Sequence, residues 1–424
     1  MRLYAFEGLR YTPRAGDAGA LAAPPYDQID DAARDRFQAQ SPYQFVHLTR
    51  PVAPAGPAGE APAGGGGAGD PYRHAAALHG RWLQEGIVAR DERPGLYPYV
   101  IDLAGGGRRL GVAGLVAFAD AAEIRPHEQT LDKPLADRLA LLEATHTDLE
   151  PVLLLAEDGG GLDELLAADL PALAPVVVHR DADGHHHRLF QIADPQRIAR
   201  YRQALEGKPA AIADGHHRYK VGQRFAREHG ARPGTAAAAK LSIVTSMSSP
   251  ALTIEPIHRA LREPIDLERF APIPHQAEAF SGAGGGELAA AVAAAARSQP
   301  ALGVWVAGKE PEIWLLNPPE APGASPDGAP PLEVEILQAT LLPALGLAPE
   351  AATDGTLVYC SNPDQLYRQV AAGELGTGFW LPPMQPKAFA AAVAKGALLP
   401  PKSTRFLPKV MSGLLWADSH SRLL

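Results

Sequence analysis

The segment that most restricts how this chain folds is "PAAIADGHHRYKVGQRFAREHG". Ala210–Ala213 is a short apolar run, which indicates a buried strand, and Val221 and Phe225 recur at the i, i+4 spacing of one helix face. Asp214 and Gly215 lie between the two patterns and form a tight turn. The segment therefore predicts a strand that passes directly into a helix, as in folds where helices pack on a sheet.

The same two patterns recur along the chain. "PVLLLA" and "KLSIVTSM" are predicted as buried strands, and "DAARDRFQAQ" and "ELAAAVAAAARS" are predicted as helices. Hydrophobic residues make up 46% of the sequence, which suffices for a large core. We therefore expect an α/β (α+β) fold with mixed sheets and flanking helices.

The length of 424 residues predicts two or three domains. The pattern changes near residue 265, so we expect a phosphate- or nucleotide-binding α/β domain at residues 1–264 and a smaller α/β domain at residues 265–424. Residues 52–70 are a tract of Pro, Gly and Ala without apolar periodicity, which indicates a flexible insertion in the first domain. The second domain is expected either to complete or to cover the site of the first.

Composition argues against several classes of protein. The formal net charge of -9 argues against general nucleic-acid binding. The chain has no apolar run of about 18 residues, so no membrane-spanning helix is expected. "MRLYAFEGLRYTPR" lacks the apolar centre of a signal peptide, and Cys360, the one cysteine, cannot form an intrachain disulfide. We expect a cytoplasmic protein that does not bind membranes.

Two stretches of the chain share the sequence Asp-Gly-His-His. In "DADGHHHR", Asp181–Arg188, the Asp-Gly pair lies between two strand-like runs, so we interpret this stretch as a solvent-facing hairpin. In "IADGHHRY", Ile212–Tyr219, the pair precedes a helix, and His216, His217 and Arg218 fall in its first turn. The surroundings therefore distinguish two stretches that look alike.

The first turn of a helix has unpaired backbone N–H groups and a partial positive charge, which together bind phosphate or carboxylate. Gly215, His216, His217 and Arg218 are therefore candidate phosphate- or nucleotide-binding residues. The alternative is that Asp214 caps the helix and the histidines form a solvated turn. Neighbouring helical side chains point about 100° apart, so the two histidines are not expected to share one metal ion. Mg²⁺ at Asp214, bound directly or through a nucleotide phosphate, is the remaining metal hypothesis.

A second polar stretch, "RPHEQT", precedes a predicted helix. Glu128 and His127 together suit general acid–base chemistry, and Arg125 suits an anchor for a carboxylate or phosphate of the substrate. The alternative is that these residues form a solvated loop.

Basic residues near the chain end are further candidates. In "PPKSTRFLPK", Lys402 and Lys409 are candidate phosphate- or nucleotide-binding residues, and His258 in "EPIHRAL" is a candidate for substrate binding. The alternative for each is a solvated charged surface.

The chain resembles the domain-of-unknown-function 1015 family of bacterial and archaeal proteins. The resemblance covers essentially the whole chain and is carried by an ordered set of segments: "APPYD", "SPYQFVHLTRP", "RPHEQTLDKPLADRLALLEATHTDLEPVLLL", "IADGHHRYKVG", "EPIHRAL" and "LLPPKSTRFLPKVMSGLL". This family name implies no activity.

Asp214–Arg218 also resembles the phosphate-binding motif of the ParB/sulfiredoxin-like superfamily, which includes CTP-hydrolysing partition proteins, sulfiredoxin and free-serine kinases. The resemblance implies a ParB/sulfiredoxin-like N-terminal part that holds nucleotide phosphates at a helix N-terminus. In the kinases an acidic residue acts as base on the substrate hydroxyl, and Glu128 is the candidate here.

These observations predict a small-molecule enzyme of phosphoryl chemistry, namely an ATP- or ADP-dependent kinase of a hydroxylated metabolite, with Mg²⁺ as the accompanying metal. Its expected partner is a small anionic or phosphorylated ligand. Glu128, His127 and Asp214 are the expected catalytic residues. The alternatives are a phosphatase or other hydrolase at the same anion site, and a nucleotide-responsive regulatory protein without turnover. Proximity of Glu128 to His216 would favour an enzyme over a binding protein.

Overall fold

The structure is a computed structural model that describes residues 1–53, 69–128, 132–317, 331–347, 355–396 and 398–424, with the backbone alone at residues 132–134. Most of the insertion predicted at residues 52–70 lies outside the described residues. The chain forms two compact units, which are Met1–Leu252 together with Pro408–Leu424, and Thr253–Leu407.

The strands are numbered in chain order. Strands β1 to β12 are, in turn, Leu3–Tyr4, Leu9–Tyr11, Val88–Arg90, Tyr97–Asp102, Arg108–Ala117, Ile124–Arg125, Thr147–Asp148, Val152–Ala156, Val177–Arg180, His186–Leu189, Ala210–Asp214 and Ala239–Ser246. Strands β13 to β21 are Thr253–Glu255, His258–Leu261, His275–Ala279, Ala301–Val306, Glu312–Leu316, Leu357–Cys360, Thr377–Trp380, Arg405–Leu407 and Ala417–Asp418.

The α-helices are numbered in the same way. Helices α1 to α12 are Asp31–Gln40, Val46–Thr49, Pro71–Gln84, Asp132–Thr145, Gly161–Asp169, Pro195–Leu205, His216–Glu228, Gly285–Ala295, Glu333–Ile336, Leu342–Ala344, Pro363–Ala371 and Pro386–Ala394. None of these described helices has both the length and the apolar character needed to cross a membrane.

The first unit is built around a mixed sheet with the strand order β6–β11–β8–β12–β5–β4–β10–β9 among the described residues. β6 is parallel to β11 and β8 is parallel to β12, whereas the other neighbours in this order are antiparallel. β1 pairs with Leu115 and Val116 of β5, beyond the part of β5 that pairs with β4. The predicted α/β (α+β) fold with mixed sheets and flanking helices is confirmed.

The two faces of this sheet differ in chemistry. Val112, Val152 and Val244 lie on the face that packs against α5 and α6 and forms the apolar core of the unit. Because side chains alternate along a strand, Gly111 and Ile243, each one residue from a core valine, lie on the opposite face. This opposite face, here called the polar face, carries the polar side chains of Tyr99, Arg109 and His187.

The second unit contains an antiparallel sheet with the strand order β15–β17–β16–β19–β14–β18 among the described residues. Leu288 and Val292 of α8 and Leu366 of α11 lie in one apolar cluster of this unit. Val334 and Ile336 of α9 lie in another.

The compact units and the predicted domains divide the chain at different residues. Residues 253–264 lie in the second unit because β13 pairs with β20, and β14 pairs with β18 and β19. Residues 408–424 lie in the first unit, where β21 pairs with β7 and the backbones of Leu9 and Trp416 exchange two hydrogen bonds. The division of the chain into domains at residues 1–264 and 265–424 stays a prediction.

Candidate functional site

The turn between β11 and α7 brings the second Asp-Gly-His-His stretch to the end of a sheet strand. Gly215 adopts the left-handed conformation, with φ 91°, and a Cβ at this position would lie 3.0 Å from both Arg218 and Val152. A side chain here would be strained and crowded, which explains the glycine. Gly215 is the N-cap residue of α7 and has no side chain that could cap the helix, so the first backbone N–H groups lack the partner that a capping residue supplies.

Asp214 is the last residue of β11, and its two carboxylate oxygens contact two different cations. One oxygen accepts a hydrogen bond from the Arg218 guanidinium and the other accepts one from Nζ of Lys409. Burial alone would raise the pKa of Asp214, but Lys409 and Arg218 hold it well below its usual value. Asp214 is therefore ionised at neutral pH and fixes the turn between two positive charges.

Arg218 is almost fully buried and connects the first turn of α7 to the neighbouring strand. One terminal nitrogen donates to Asp214, and the other donates to the backbone carbonyl of Pro151, just before β8. Burial alone would lower the pKa of Arg218, but Asp214 and Glu150 raise it, so the guanidinium stays charged. Arg218 thus holds the turn in place and contributes positive charge to it.

His127 and His216 pack against each other beside this turn. Their ring centroids are 4.5 Å apart, and the backbone N–H of His127 donates to Nε2 of His216 over 3.3 Å. Nδ1 of His127 lies 2.7 Å from the carbonyl oxygen of Ile212, which can only accept, so Nδ1 carries the proton. Burial lowers the pKa of His127 to about 4 and the pKa of His216 well below its ordinary value, so both rings are neutral at pH 7.

Glu128 lies at the same place. One of its carboxylate oxygens is 4.0 Å from Nε2 of His127, and about a quarter of its side chain is exposed. Since neutral His127 has its proton on Nδ1, the Nε2 atom that faces Glu128 carries a lone pair. The structure therefore brings Glu128, His127 and His216 into one cluster with the Asp214 turn.

Two acidic residues of this site were not found from the sequence. The buried Glu150 accepts hydrogen bonds from the backbone N–H of Tyr26 over 3.0 Å and from the Ser412 hydroxyl over 2.9 Å. This contact places the neighbouring Asp27 at the site. Asp27 is accessible to solvent but has protein on most sides, and this partial desolvation, together with Asp214, raises its pKa. The available signal was the pair of prolines in "APPYD", which fixes an extended turn ending at Asp27.

Among the other candidates, His217 lies in the first turn of α7, Arg125 lies away from the Asp214 turn, and Lys402 and His258 lie in the second unit. Arg125 of β6 forms an ion pair of 2.6 Å with Glu157, which follows the end of β8 remote from the Asp214 turn. His217 is half-buried in the first turn of α7. Lys402 and His258 belong to the second unit, where Nδ1 of buried His258 accepts the backbone N–H of Leu381 over 3.1 Å and burial lowers its pKa to about 4. Their roles in ligand binding stay predictions.

Fold and site together define a mixed α/β protein with a candidate anion-binding turn where a sheet strand passes into a helix. The chain belongs to the family described as protein of unknown function (DUF1015), whose model matches residues 3–318. No curated protein matches the chain.

Several solved structures align with the chain. A conserved hypothetical protein from Pyrococcus furiosus is 14% identical, covers 73% of this chain and 94% of its own, and gives a TM-score of 0.37. A free serine kinase in complex with AMP is 15% identical over 72% of this chain and 92% of its own, with a TM-score of 0.38. SbnI with a C-terminal truncation, from Staphylococcus aureus, is 13% identical over 71% of this chain and 85% of its own, with a TM-score of 0.36. These alignments assign no functional residue in this chain.

Proposed function

We propose that this protein is a small-molecule enzyme of phosphoryl chemistry, an ATP- or ADP-dependent kinase that phosphorylates a hydroxyl group of a metabolite. The observation that carries the proposal is the N-terminus of α7, whose N-cap residue Gly215 has no side chain and which lies beside the cations Arg218 and Lys409. Uncapped N–H groups, the helix dipole and nearby cations together favour a phosphate. The resemblance of Asp214–Arg218 to a nucleotide-phosphate motif agrees with this assignment.

Phosphate oxygens would be held by backbone N–H groups at the start of α7 and by Lys409. His216 would add a donor, because its Nε2 accepts from His127 and its neutral ring therefore carries the proton on Nδ1. Such preorganised donors stabilise charge on a transferring phosphoryl group.

Asp214 is assigned to positioning, because both its oxygens already accept hydrogen bonds from cations. The accessible carboxylate beside it is Asp27, which fits a hard divalent cation such as Mg²⁺. Mg²⁺ bound there would neutralise part of the phosphate charge. Asp27 and Asp214 repel each other, and this repulsion is what a bound cation would relieve.

Glu128 and Asp27 are the two candidates for the base that accepts the proton of the substrate hydroxyl. Glu128 lies next to the His127–His216 pair, and this proximity supports turnover over binding alone. Asp27 has a pKa raised by partial burial and by Asp214, and a more basic carboxylate is a better proton acceptor.

Nucleotide binding is tested first. ADP and ATP, with and without Mg²⁺, should raise the melting temperature of the wild-type protein. Lys409→Met should weaken ADP binding about 10-fold, measured by calorimetry, because one charge-assisted contact is lost. Arg224→Met is the matched control, since Arg224 is an exposed residue of α7 paired with Glu228. If neither nucleotide binds the wild-type protein, the kinase proposal is rejected.

The base is identified by turnover. Glu128→Gln and Asp27→Asn are compared with Glu143→Gln and Asp35→Asn, which change exposed carboxylates on α4 and α1. Loss of the base should lower kcat about 10²- to 10⁴-fold and leave the affinity for ADP, measured without Mg²⁺, unchanged. Phosphate release without an acceptor would instead indicate a hydrolase, and binding without any turnover would indicate a regulatory protein.

A further inference from the structure

Arg109 of β5 is a buried cation that none of the interactions above uses. Arg109 is 2% exposed, and neither terminal nitrogen of its guanidinium has a hydrogen-bond partner among the residues that the structure describes. The preceding Arg108 shows the ordinary arrangement, because its side chain is 54% exposed and its Nε donates to Asp102 over 2.6 Å. Burying a guanidinium without hydrogen-bond partners costs folding free energy, since buried polar groups are normally hydrogen-bonded.

The side chain of Arg109 lies on the polar face of the sheet. In the β4–β5 pairing Arg109 is opposite Ile101 and Gly111 is opposite Tyr99, and directly opposed residues share a face. A Cβ at Gly111 would lie 2.9 Å from Ile243, so this position has no room for a side chain. The side chains of Ile243 and Thr245 therefore cover the sheet at Gly111, on the same face as Arg109.

The Asp214 turn is within electrostatic reach of the same guanidinium. Burial lowers the pKa of Arg109 to about 10, while Tyr99 and Asp214 act in the opposite direction. Arg109 is therefore charged at neutral pH. Asp214, however, already has Lys409 and Arg218 as hydrogen-bond donors, so it does not supply the partner that Arg109 lacks.

Two polar groups near Arg109, Tyr99 and His187, belong to a chain of hydrogen bonds. Nε2 of His187 lies 3.0 Å from an oxygen of Asp181, which can only accept while ionised, so Nε2 carries the proton. Tyr99 then donates its hydroxyl proton to Nδ1 of His187 over 2.7 Å, and its oxygen accepts the backbone N–H of Met411 over 3.2 Å. These hydrogen bonds fix the positions of Tyr99 and His187, and none of them involves the terminal nitrogens of Arg109.

We propose that Arg109 binds an oxyanion of the substrate, either a carboxylate or a phosphate, through two of its oxygens. The planar guanidinium fork matches two oxygens of either group. The inference rests on the proposed function, because it identifies the acceptor as a hydroxylated compound that also carries an anionic group. This oxyanion is distinct from the nucleotide phosphates at the N-terminus of α7.

The test compares Arg109→Met with Arg108→Met, using glycerate as a carboxylate probe and glycerol 3-phosphate as a phosphate probe. Affinity is measured by calorimetry on the full chain, with and without ADP. At least one probe should bind the wild-type protein and the Arg108 variant equally, and Arg109→Met should weaken it about 10- to 100-fold. The probe that binds shows which oxyanion the subsite takes.

Arg109→Lys keeps the charge without the fork and serves if the methionine variant does not fold. It should bind the preferred probe more weakly than the wild type, because an ammonium group cannot hold two oxygens in a planar pair. Equal probe affinity in wild type and either Arg109 variant overturns the proposal, and so does the absence of binding by both probes. Arg109-dependent probe binding without any ADP binding would reject the kinase and leave this subsite standing.

Discussion

The segments Asp181–Arg188 and Ile212–Tyr219 share Asp-Gly-His-His, yet they bury their histidines by different rules. In the first, β10 is extended, so His186 is exposed and His187 is fully buried. In the second, α7 rotates successive side chains by about 100°, and His216 and Arg218 are buried while His217 is half-buried. The same four residue types therefore show different patterns of burial in the two stretches.

The two stretches also differ in where their charges find partners. The hairpin of β9 and β10 is confirmed, but its interpretation as solvent-facing is wrong for His187, which contacts Asp181 and Tyr99. Within this stretch His187 and Asp181 are hydrogen-bonded to each other. Asp214 in the second stretch depends on Lys409, 195 residues further along the chain. Sequence similarity over a few residues thus gives no information about such distant partners.

The largest expected effect is at Asp214. Asp214→Asn would leave Arg218 and Lys409 without their shared anion, so unfolding in urea at pH 7 should show a loss of about 3–5 kcal/mol. Asp183→Asn changes the exposed carboxylate of the equivalent Asp-Gly pair and should change stability by less than about 0.5 kcal/mol. Similar losses in both variants would show that the two turns are energetically alike.

The second effect is acid sensitivity from buried histidines. Burial lowers the pKa of His187 to about 4, below the value of about 6.5 in an unfolded chain. Between these values only the unfolded chain takes up the proton, so the contribution to stability is present above pH 6.5 and is lost as the pH falls to 4. His187→Gln should remove up to about 3 kcal/mol of the dependence of urea stability on pH in this window. His186→Gln, at an exposed site, should leave the full dependence, and an equal effect of both variants would contradict the assignment.

The smallest effect compares the two glycines. Both have positive φ, 83° at Gly184 and 91° at Gly215, so alanine is strained at either site. Gly184→Ala should cost about 1 kcal/mol, because its Cβ would be no closer than 3.6 Å to other atoms. Gly215→Ala should cost about 2 kcal/mol, since the contacts with Arg218 and Val152 at 3.0 Å add crowding. Thermal unfolding measures the stability of both variants. An equal loss of stability would show that backbone strain, without crowding, determines the cost of alanine at both sites.

Local patterns predicted the strand, the turn and the helix at residues 210–228, because the apolar periodicity and the turn residues lie close together in the sequence. The burial of Arg109 was not predictable in this way. Arg108 and Arg109 are chemically identical, and only the pairing of β5 with β4 decides which one faces inward. Arg125 shows the same limit, since it is close to His127 in sequence but forms its ion pair with Glu157.

Contacts between residues far apart in the sequence account for the features of the site and the fold that the sequence did not reveal. Asp27 enters the site because the backbone N–H of Tyr26 donates to Glu150, a contact between residues 124 positions apart. The last residues return to the first unit through short contacts, such as the two-residue pairing of β21 with β7, that are too short for a recognisable pattern. Predicting the position of Asp27 and of the last residues would have required knowledge of which distant segments contact each other.

The chain order of the site has a consequence for protein synthesis. At about 5–20 residues per second, the ribosome reaches Lys409 about 10–40 s after Asp214, and the whole second unit is made in this interval. A nascent chain that has emerged only through α7 can pair Asp214 with Arg218 but lacks the second cation. The complete turn therefore forms only after the chain of the second unit has been synthesised.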